Sequence, residues 1–335
     1  MSEVKKPLLL SGAELKVLTF EPSQWIVEGL LRVGRKRISL LAGKPEDGKS
    51  TIARQLAVAV TKGKPFLGRQ TVRASVIYWQ SEDEPGDVRD SLDRLGYDHT
   101  TDEKLLTFFG NAAENHVQNL REALAAHPEV KLVLIETLDD LLKVSDIKEN
   151  TAARAAFDKF DTVVVNDFSH RVAFLALHQL KKRETDSVGD MLLGATVIRG
   201  RTDAKWYLRR VSDEDPRRIF TATVRKGQEI AATYLDYNPD TETSTLGMTT
   251  TEERKHSAKE TDKRIVQEIV SFFKNNPDTS FERDCFPAIS GNSDLKRRLF
   301  KRVLADGVLK RNGKGTKSSP HTYTVAPIRM EGEAA

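Results

Sequence analysis

The chain reads as an α/β protein: a mainly parallel sheet flanked by helices, with late antiparallel strands and then a small, basic C-terminal domain. Three observations carry that reading. Residues 43–50, GKPEDGKS, match a phosphate-binding glycine loop set between a strand and a helix. Apolar runs of strand length alternate with helical periodicity as far as residue 178, the pattern of a parallel sheet covered on both faces. Beyond residue 258 the composition turns basic and the order becomes helices, then a hairpin.

Residues 37–42 (RISLLA) form a buried strand running into Gly43, and residues 50–60 (STIARQLAVAV) place Ile52, Leu56, Ala59 and Val60 on one helical face. In the loop between them, Gly43 and Gly48 let the backbone of Lys44, Pro45, Glu46 and Asp47 wrap a polyphosphate. Its oxygens meet the N–H groups at the helix start, including that of Thr51. Lys49 reaches the β- and γ-phosphates of ATP, and the Ser50 hydroxyl ligates Mg²⁺. Residues 74–80 (ASVIYWQ) make the next strand. Pro85 and Gly86 then open a helix with Val88, Leu92 and Leu95 at helical spacing, closed by Gly96. A short strand at 105–109, a helix at 117–126, an apolar strand at 130–136, a helix at 149–165 and a buried strand at 172–178 follow. From Ala204 onward, residues 206–208, 218–223 and 229–237 have the pattern of antiparallel strands joined by turns.

Residues 238–258, Asn-Pro-Asp followed by a Thr/Glu/Ser-rich stretch, read as a linker. Ile265, Val266, Ile269, Val270 and Phe273 then mark a helix. Leu295, Leu299 and Val303 mark another, capped by Asn292 or Ser293 and stopped by Gly307. Short strands at 308–311 and 322–325 flank a Gly/Lys/Ser loop. Helices followed by a hairpin make a winged-helix plan over residues 259–328. The lead-in is 1–30, the core 31–237 and the tail 329–335.

Among 335 residues, 30% are charged and 39% hydrophobic, and the longest apolar runs fall far short of a membrane span. The N-terminus is too short in apolar residues for a secretion signal, so a cytoplasmic protein with no membrane association is expected. A single cysteine, Cys285, excludes an intrachain disulfide framework and a cysteine-based zinc site. Residues 254–317 hold 16 Lys+Arg against 8 Asp+Glu, whereas the rest of the chain is net negative. That asymmetry points to a polyanion as partner of the C-terminal part.

Hydrolysis of a nucleotide needs an acid near the metal, a group that positions water and a group that senses the γ-phosphate. Candidates for each lie at strand C-termini, where sheets of this kind bind ligands. Glu136 ends the strand at 130–136 and suits a water-mediated metal contact. In the run Ser81-Glu82-Asp83-Glu84-Pro85, three acids follow a strand; Glu82 is preferred over Asp83 for polarising water, with the choice left open by spacing. His178 and Gln179 close the strand at 172–178 and can hydrogen-bond a γ-phosphate. The polar loop at 181–193 follows, and its Lys181, Lys182 and Arg183 suit a nucleotide-gated contact with DNA.

Together these residues resemble RecA-fold ATPases of the plasmid-replication helicase RepA type. The resemblance spans roughly residues 20–225. Residues 22–30 (PSQWIVEGL) are similar to that family's lead-in to the P-loop, and residues 81–85 (SEDEP) to its strand-end acidic motif. By that likeness Glu82 is the catalytic glutamate, Glu136 stands where the family normally has aspartate, and His178-Gln179 holds the sensor position. The family forms rings in which a neighbouring subunit supplies an arginine to the γ-phosphate. Arg201 and Arg209 are the leading candidates for that role, with Arg199 and Arg210 behind them.

In the C-terminal domain, Leu295, Leu299 and Val303 point inward. Lys296, Arg297, Lys301 and Arg302 are expected on the opposite side, with Arg298 at the edge. Lys310, Arg311, Lys314 and Lys317 lie on the hairpin or its tip. A basic helix beside a basic wing suits duplex DNA.

The reading that follows is a homo-oligomeric, Mg²⁺- and ATP-dependent motor or remodeller, a RepA-like replicative helicase of a plasmid, phage or integrated element. It takes single-stranded DNA on the core loop and duplex on the C-terminal domain. Two alternatives stand beside it: a recombination or regulatory ATPase that does not unwind, and a DNA-binding adaptor with weak ATPase. The protein-kinase motifs H-R-D and D-F-G are missing from the chain.

Overall fold

The computed structural model describes residues 9–17, 24–33, 37–109, 115–142, 150–180, 202–212, 214–225 and 227–326, leaving aside the side chains at 139 and 150–154. The chain divides into two compact units, residues 1–249 and 250–335.

In the first unit, β1 (Trp25–Val27) and β2 (Leu31–Arg32) form a small antiparallel ribbon. The main sheet is built from β3 (Ile38–Gly43), β4 (Ser75–Gln80), β5 (Leu105–Phe109), β6 (Val130–Glu136), β7 (Ala173–Gln179), β8 (Thr202–Arg210), β9 (Arg218–Val224), β10 (Ile230–Asn238) and β11 (Thr243–Thr249). Their order is β11-β10-β9-β8-β3-β7-β6-β4-β5. Pairing is parallel from β5 across to β8 and antiparallel from β8 to β11. The strands at 206–208, 218–223 and 229–237 pair antiparallel with one another, as their pattern suggested, and β8 joins this meander to the parallel part by lying parallel to β3. A strand, β7, sits between the P-loop strand β3 and the acid-bearing β6.

Alternation within the strands explains why both faces are buried. Val76 and Tyr78 of β4, Leu132 and Leu134 of β6, and Leu175 and Leu177 of β7 pack on one face with the helix Lys49–Lys62. Their neighbours Ile77, Trp79, Val133, Ile135, Phe174 and Ala176 pack on the other face with Phe157 and Phe160 of the helix Asn150–Phe160. Each fully buried Val, Leu, Ile or Phe side chain among them contributes about 1.5–3 kcal/mol of transfer free energy. The ribbon is fixed to the sheet by a buried bidentate pair, Arg32 Nε and Nη2 donating to Asp203 at 2.8 and 3.0 Å.

Residues 238–258 are not a linker. They hold β11 and the first turns of the helix Thr250–Asn275, which starts well before its apolar stripe. The polar stretch misled because β11 is an edge strand, and because the helix buries nothing before Ile265.

In the second unit, the helix Thr250–Asn275 is followed by the short helical segments Phe281–Cys285 and Phe286–Ala288, then the helix Ser293–Ala305. The hairpin of β12 (Leu309–Asn312) and β13 (Thr322–Val325) completes it. The Phe281 and Phe300 rings stack at 3.7 Å between centroids, beside Phe273 and Tyr323. Asn292 is the cap, its Oδ1 accepting the Asp294 N–H at 2.9 Å.

Lys296 departs from expectation. It is 8% exposed, its Nζ donating to the carbonyls of Phe286 at 3.0 Å and Ile289 at 2.7 Å, over the Phe286 ring. It therefore belongs to the core of this unit and not to its basic face. Replacing Lys296 by Ala should destabilise the unit by about 2–3 kcal/mol, because one buried and one partly buried carbonyl lose a charged donor. Lys301→Ala on the exposed face should change it by less than about 0.5 kcal/mol. Amide hydrogen exchange along the helix Ser293–Ala305 of the full chain reads both effects.

Candidate nucleotide-binding and hydrolysis site

β3 delivers the glycine loop to the edge of a cleft of about 530 Å³ at the C-terminal ends of the parallel strands. Gly43 passes so close to β8 that a Cβ there would lie 2.5 Å from the Leu208 carbonyl oxygen. Gly48 takes φ +94°, a conformation that side chains disfavour, and so turns the loop into the helix Lys49–Lys62. Asp47 braces the loop from within. It is 4% exposed, and its carboxylate accepts the Lys44 N–H at 2.7 Å and the Arg210 N–H at 3.1 Å. Lys49 folds over the loop, its Nζ donating to the Lys44 carbonyl at 2.8 Å. Burial lowers the Lys49 pKa, against the pull of Asp47, Glu82 and Glu136.

Strand alternation decides which strand-end groups face this loop. Glu136 continues the Leu132, Leu134 row and is 1% exposed. The Ser50 hydroxyl donates to its Oε1, and the Tyr78 hydroxyl to its Oε2. Behind them Arg54, one turn after Ser50, donates from Nε to the Tyr78 oxygen at 3.3 Å and pairs through Nη2 with Asp83. Gln80 continues the Val76, Tyr78 row and shapes the acidic turn, its Oε1 accepting the N–H groups of Glu82 at 3.2 Å and Asp83 at 2.9 Å. Ser81 bridges the same turn to the Glu136 carbonyl at 3.0 Å and to Asp140 at 2.6 Å. The Glu136–Thr137 peptide is cis.

Gln179 continues the Leu175, Leu177 row, lines the cleft and donates from Nε2 to Glu82 Oε1 at 3.1 Å. His178 continues the Phe174, Ala176 row and so belongs to the opposite face of β7. The sequence reading that gave His178 a catalytic and sensor role is corrected here. Of the pair, Gln179 is the residue that meets Glu82. Partial burial, with Glu136 and Asp140 nearby, raises the Glu82 pKa, and Lys49 opposes that rise.

The other end of the cleft, toward β8–β11, is lined by Leu208, Leu235, Tyr237 and Arg218. Arg218 donates from Nε to the Asp47 carbonyl at 3.2 Å and from Nη2 to the Glu46 carbonyl at 3.3 Å. Sequence reasoning did not single out Arg218, Tyr78, Gln80 or Arg54. Two signals were present. Arg54 lies four residues after Ser50 on a helix, hence on the same face, and Tyr78 shares a strand face with Gln80.

Arg209 is exposed at the end of β8, with Arg210 beside it. Lys181, Lys182, Arg183, Arg199 and Arg201 lie outside the described residues. In the second unit Arg297 pairs with Glu282 at 3.2 Å and Arg302 with Asp306 at 3.6 Å, while Lys301, Lys314 and Lys317 are exposed.

The Ser50 hydroxyl and Glu136 carboxylate are hard oxygen donors side by side at the loop, a set that fits Mg²⁺. Among the described residues no group of three His, Cys, Asp or Glu side chains could cage a metal alone. Mg²⁺ is commonly held by one or two protein oxygens with waters and substrate phosphates. No helix among the described residues is long and apolar enough to cross a membrane.

The chain is similar to the solved structure of the KaiC-like protein PH0186 from the hyperthermophilic archaeon Pyrococcus horikoshii OT3. The two share 13% identity and a TM-score of 0.49, over 67% of this chain and 97% of that one. No curated protein matches it. A family profile described as an AAA domain matches residues 3–185, more than half of the chain, taking in the glycine loop, both strand-end acids and Gln179. By that match the chain belongs to the AAA domain family.

Proposed function

We propose that the protein is a Mg²⁺-dependent ATPase that assembles with copies of itself and works on DNA, as a replication motor of the RepA type. One observation carries the catalytic part: Lys49, Ser50, Glu82, Glu136 and Gln179, from four separate stretches of chain, line a single cleft. The glycine loop would cradle the phosphates, and Lys49 would leave the Lys44 carbonyl to meet the β- and γ-oxygens. Ser50 and Glu136 would hold Mg²⁺, which when bound neutralises charge on the β- and γ-phosphates. Glu82 would accept a proton from the attacking water, and Gln179, bonded to Glu82, would register loss of the γ-phosphate.

The motor part is supported by charge and by position. Arg209 is exposed beside the loop and could serve a neighbouring copy; Arg210, Arg199 and Arg201 are the other candidates. Lys181, Lys182 and Arg183 follow Gln179 after a single residue, Leu180, which suits a single-stranded DNA contact coupled to the nucleotide. The second unit, read as a winged helix, would meet duplex phosphates through Arg297, Lys301, Arg302, Lys314 and Lys317.

Lys49→Ala should lower hydrolysis, and its stimulation by single-stranded DNA, at least about 100-fold. A wild type with no turnover, and equal DNA retention by the variant, would leave only a DNA-binding adaptor. Glu82→Gln should lower kcat about 100-fold or more while nucleotide still binds. Because the base form of Glu82 is the active one and its pKa is raised, wild-type kcat should rise with pH through a midpoint above about 4.3, the ordinary glutamate value. A pH–rate profile with no such limb counts against Glu82 as the base. Native mass spectrometry with a non-hydrolysable ATP analogue and oligo-dT should show a closed multiple of the chain mass. A monomer under those conditions removes the ring and the arginine in trans.

A further inference from the structure

We propose that Tyr78 and Arg54 are a positioning pair that sets the Glu136 carboxylate for the metal. The inference rests on the reading of the cleft as a Mg²⁺–ATP site.

Hydrogen-bond accounting fixes the direction of the chain of contacts. Tyr78 is fully buried, and its hydroxyl has a single hydrogen. Arg54 carries donors alone, so its Nε–H, 3.3 Å away, must use the Tyr78 oxygen as acceptor. The Tyr78 hydrogen is then committed to Glu136 Oε2. The other oxygen, Oε1, is left to face Ser50, the residue of the glycine loop suited to the metal. One carboxylate oxygen is thus held from behind while the other is presented. The second arm of Arg54 pairs with Asp83, next to Glu82, so the same guanidinium ties the P-loop helix to the acidic turn.

This gives glutamate at position 136 a purpose. Its carboxylate spans a hydroxyl from the helix Lys49–Lys62 and a hydroxyl from β4. Aspartate, shorter by one carbon–carbon bond of about 1.5 Å, cannot reach both from the same backbone. The glutamate and the tyrosine act as one device.

The test uses the full chain and Mn²⁺ as the probe, with bound metal read by EPR in the presence of ADP. Tyr78→Phe should weaken Mn²⁺ binding about 10-fold, the lower end of the loss seen when an outer partner of a metal ligand is removed. ADP affinity in EDTA should stay unchanged, and the Mg²⁺ half-saturation of hydrolysis should rise in step with the Mn²⁺ loss. In a Glu136→Asp background, Tyr78→Phe should add nothing further. Arg54→Lys, which keeps the charge and loses the fork, should weaken Mn²⁺ about 3-fold. It serves as the test if Tyr78→Phe does not fold by circular dichroism. Unchanged Mn²⁺ affinity in the folded variant, or fully additive losses in the double variant, overturns the positioning role. A wild type that binds no Mn²⁺ with ADP overturns the underlying ATPase reading instead, so the two failures are distinguishable.

Discussion

A carboxylate that is 1% exposed at the end of an apolar strand is the constraint around which the nucleotide end of this sheet is built. Taking such a group out of water carries a penalty of several kcal/mol unless its lone pairs are met. Glu136 is met by hydroxyls from two different elements, one on the P-loop helix and one on β4. To be met this way it must lie on the face that carries the helix Lys49–Lys62, and the register β4·β6, which pairs Gln80 with Glu136, secures that. Gln80 also ends β4 at the root of the acidic turn, where its amide ties down Glu82 and Asp83.

The architecture was largely legible in the sequence because its parallel strands are buried on both faces. Such strands read as unbroken apolar runs, and the runs at 130–136 and 172–178 lie within one residue of β6 and β7. The edges were harder. β11 has one sheet neighbour, and much of its length is only partly buried, so its Thr/Ser composition reads like a connection. Lys296 was misplaced for a related reason. Periodicity locates a residue on a helix but not what packs over it, and here the short segment Phe286–Ala288 and the residue after it lie against that side and offer the Phe286 and Ile289 carbonyls. The glycine loop was unambiguous. The choice between His178 and Gln179 was within reach, since counting by twos from Leu175 arrives at Gln179. Arg218 was not within reach. Its donation to the loop carbonyls depends on β9 folding back beside β8, a tertiary fact that no local pattern encodes.

Sheet order also gives the cleft a direction. The acid-bearing ends of β4 and β6, with the amide end of β7, lie on one side of the glycine loop. The ends of β8, β9 and β10, which bring Leu208, Arg218, Leu235 and Tyr237, lie on the other. A nucleoside triphosphate has a matching asymmetry, polyanionic at one end and flat and apolar at the other. Only one orientation puts the terminal phosphate by Lys49 and the two glutamates. On the proposed reading that orientation would send the base toward the meander, where Tyr237, half exposed, offers a ring. The antiparallel addition to the sheet is then part of the proposed site. It would supply the surface for the base, and through Arg218 it steadies the loop that would hold the phosphates. Loss of β9 would therefore affect both ends of the ligand, although none of its residues lies in the glycine motif itself.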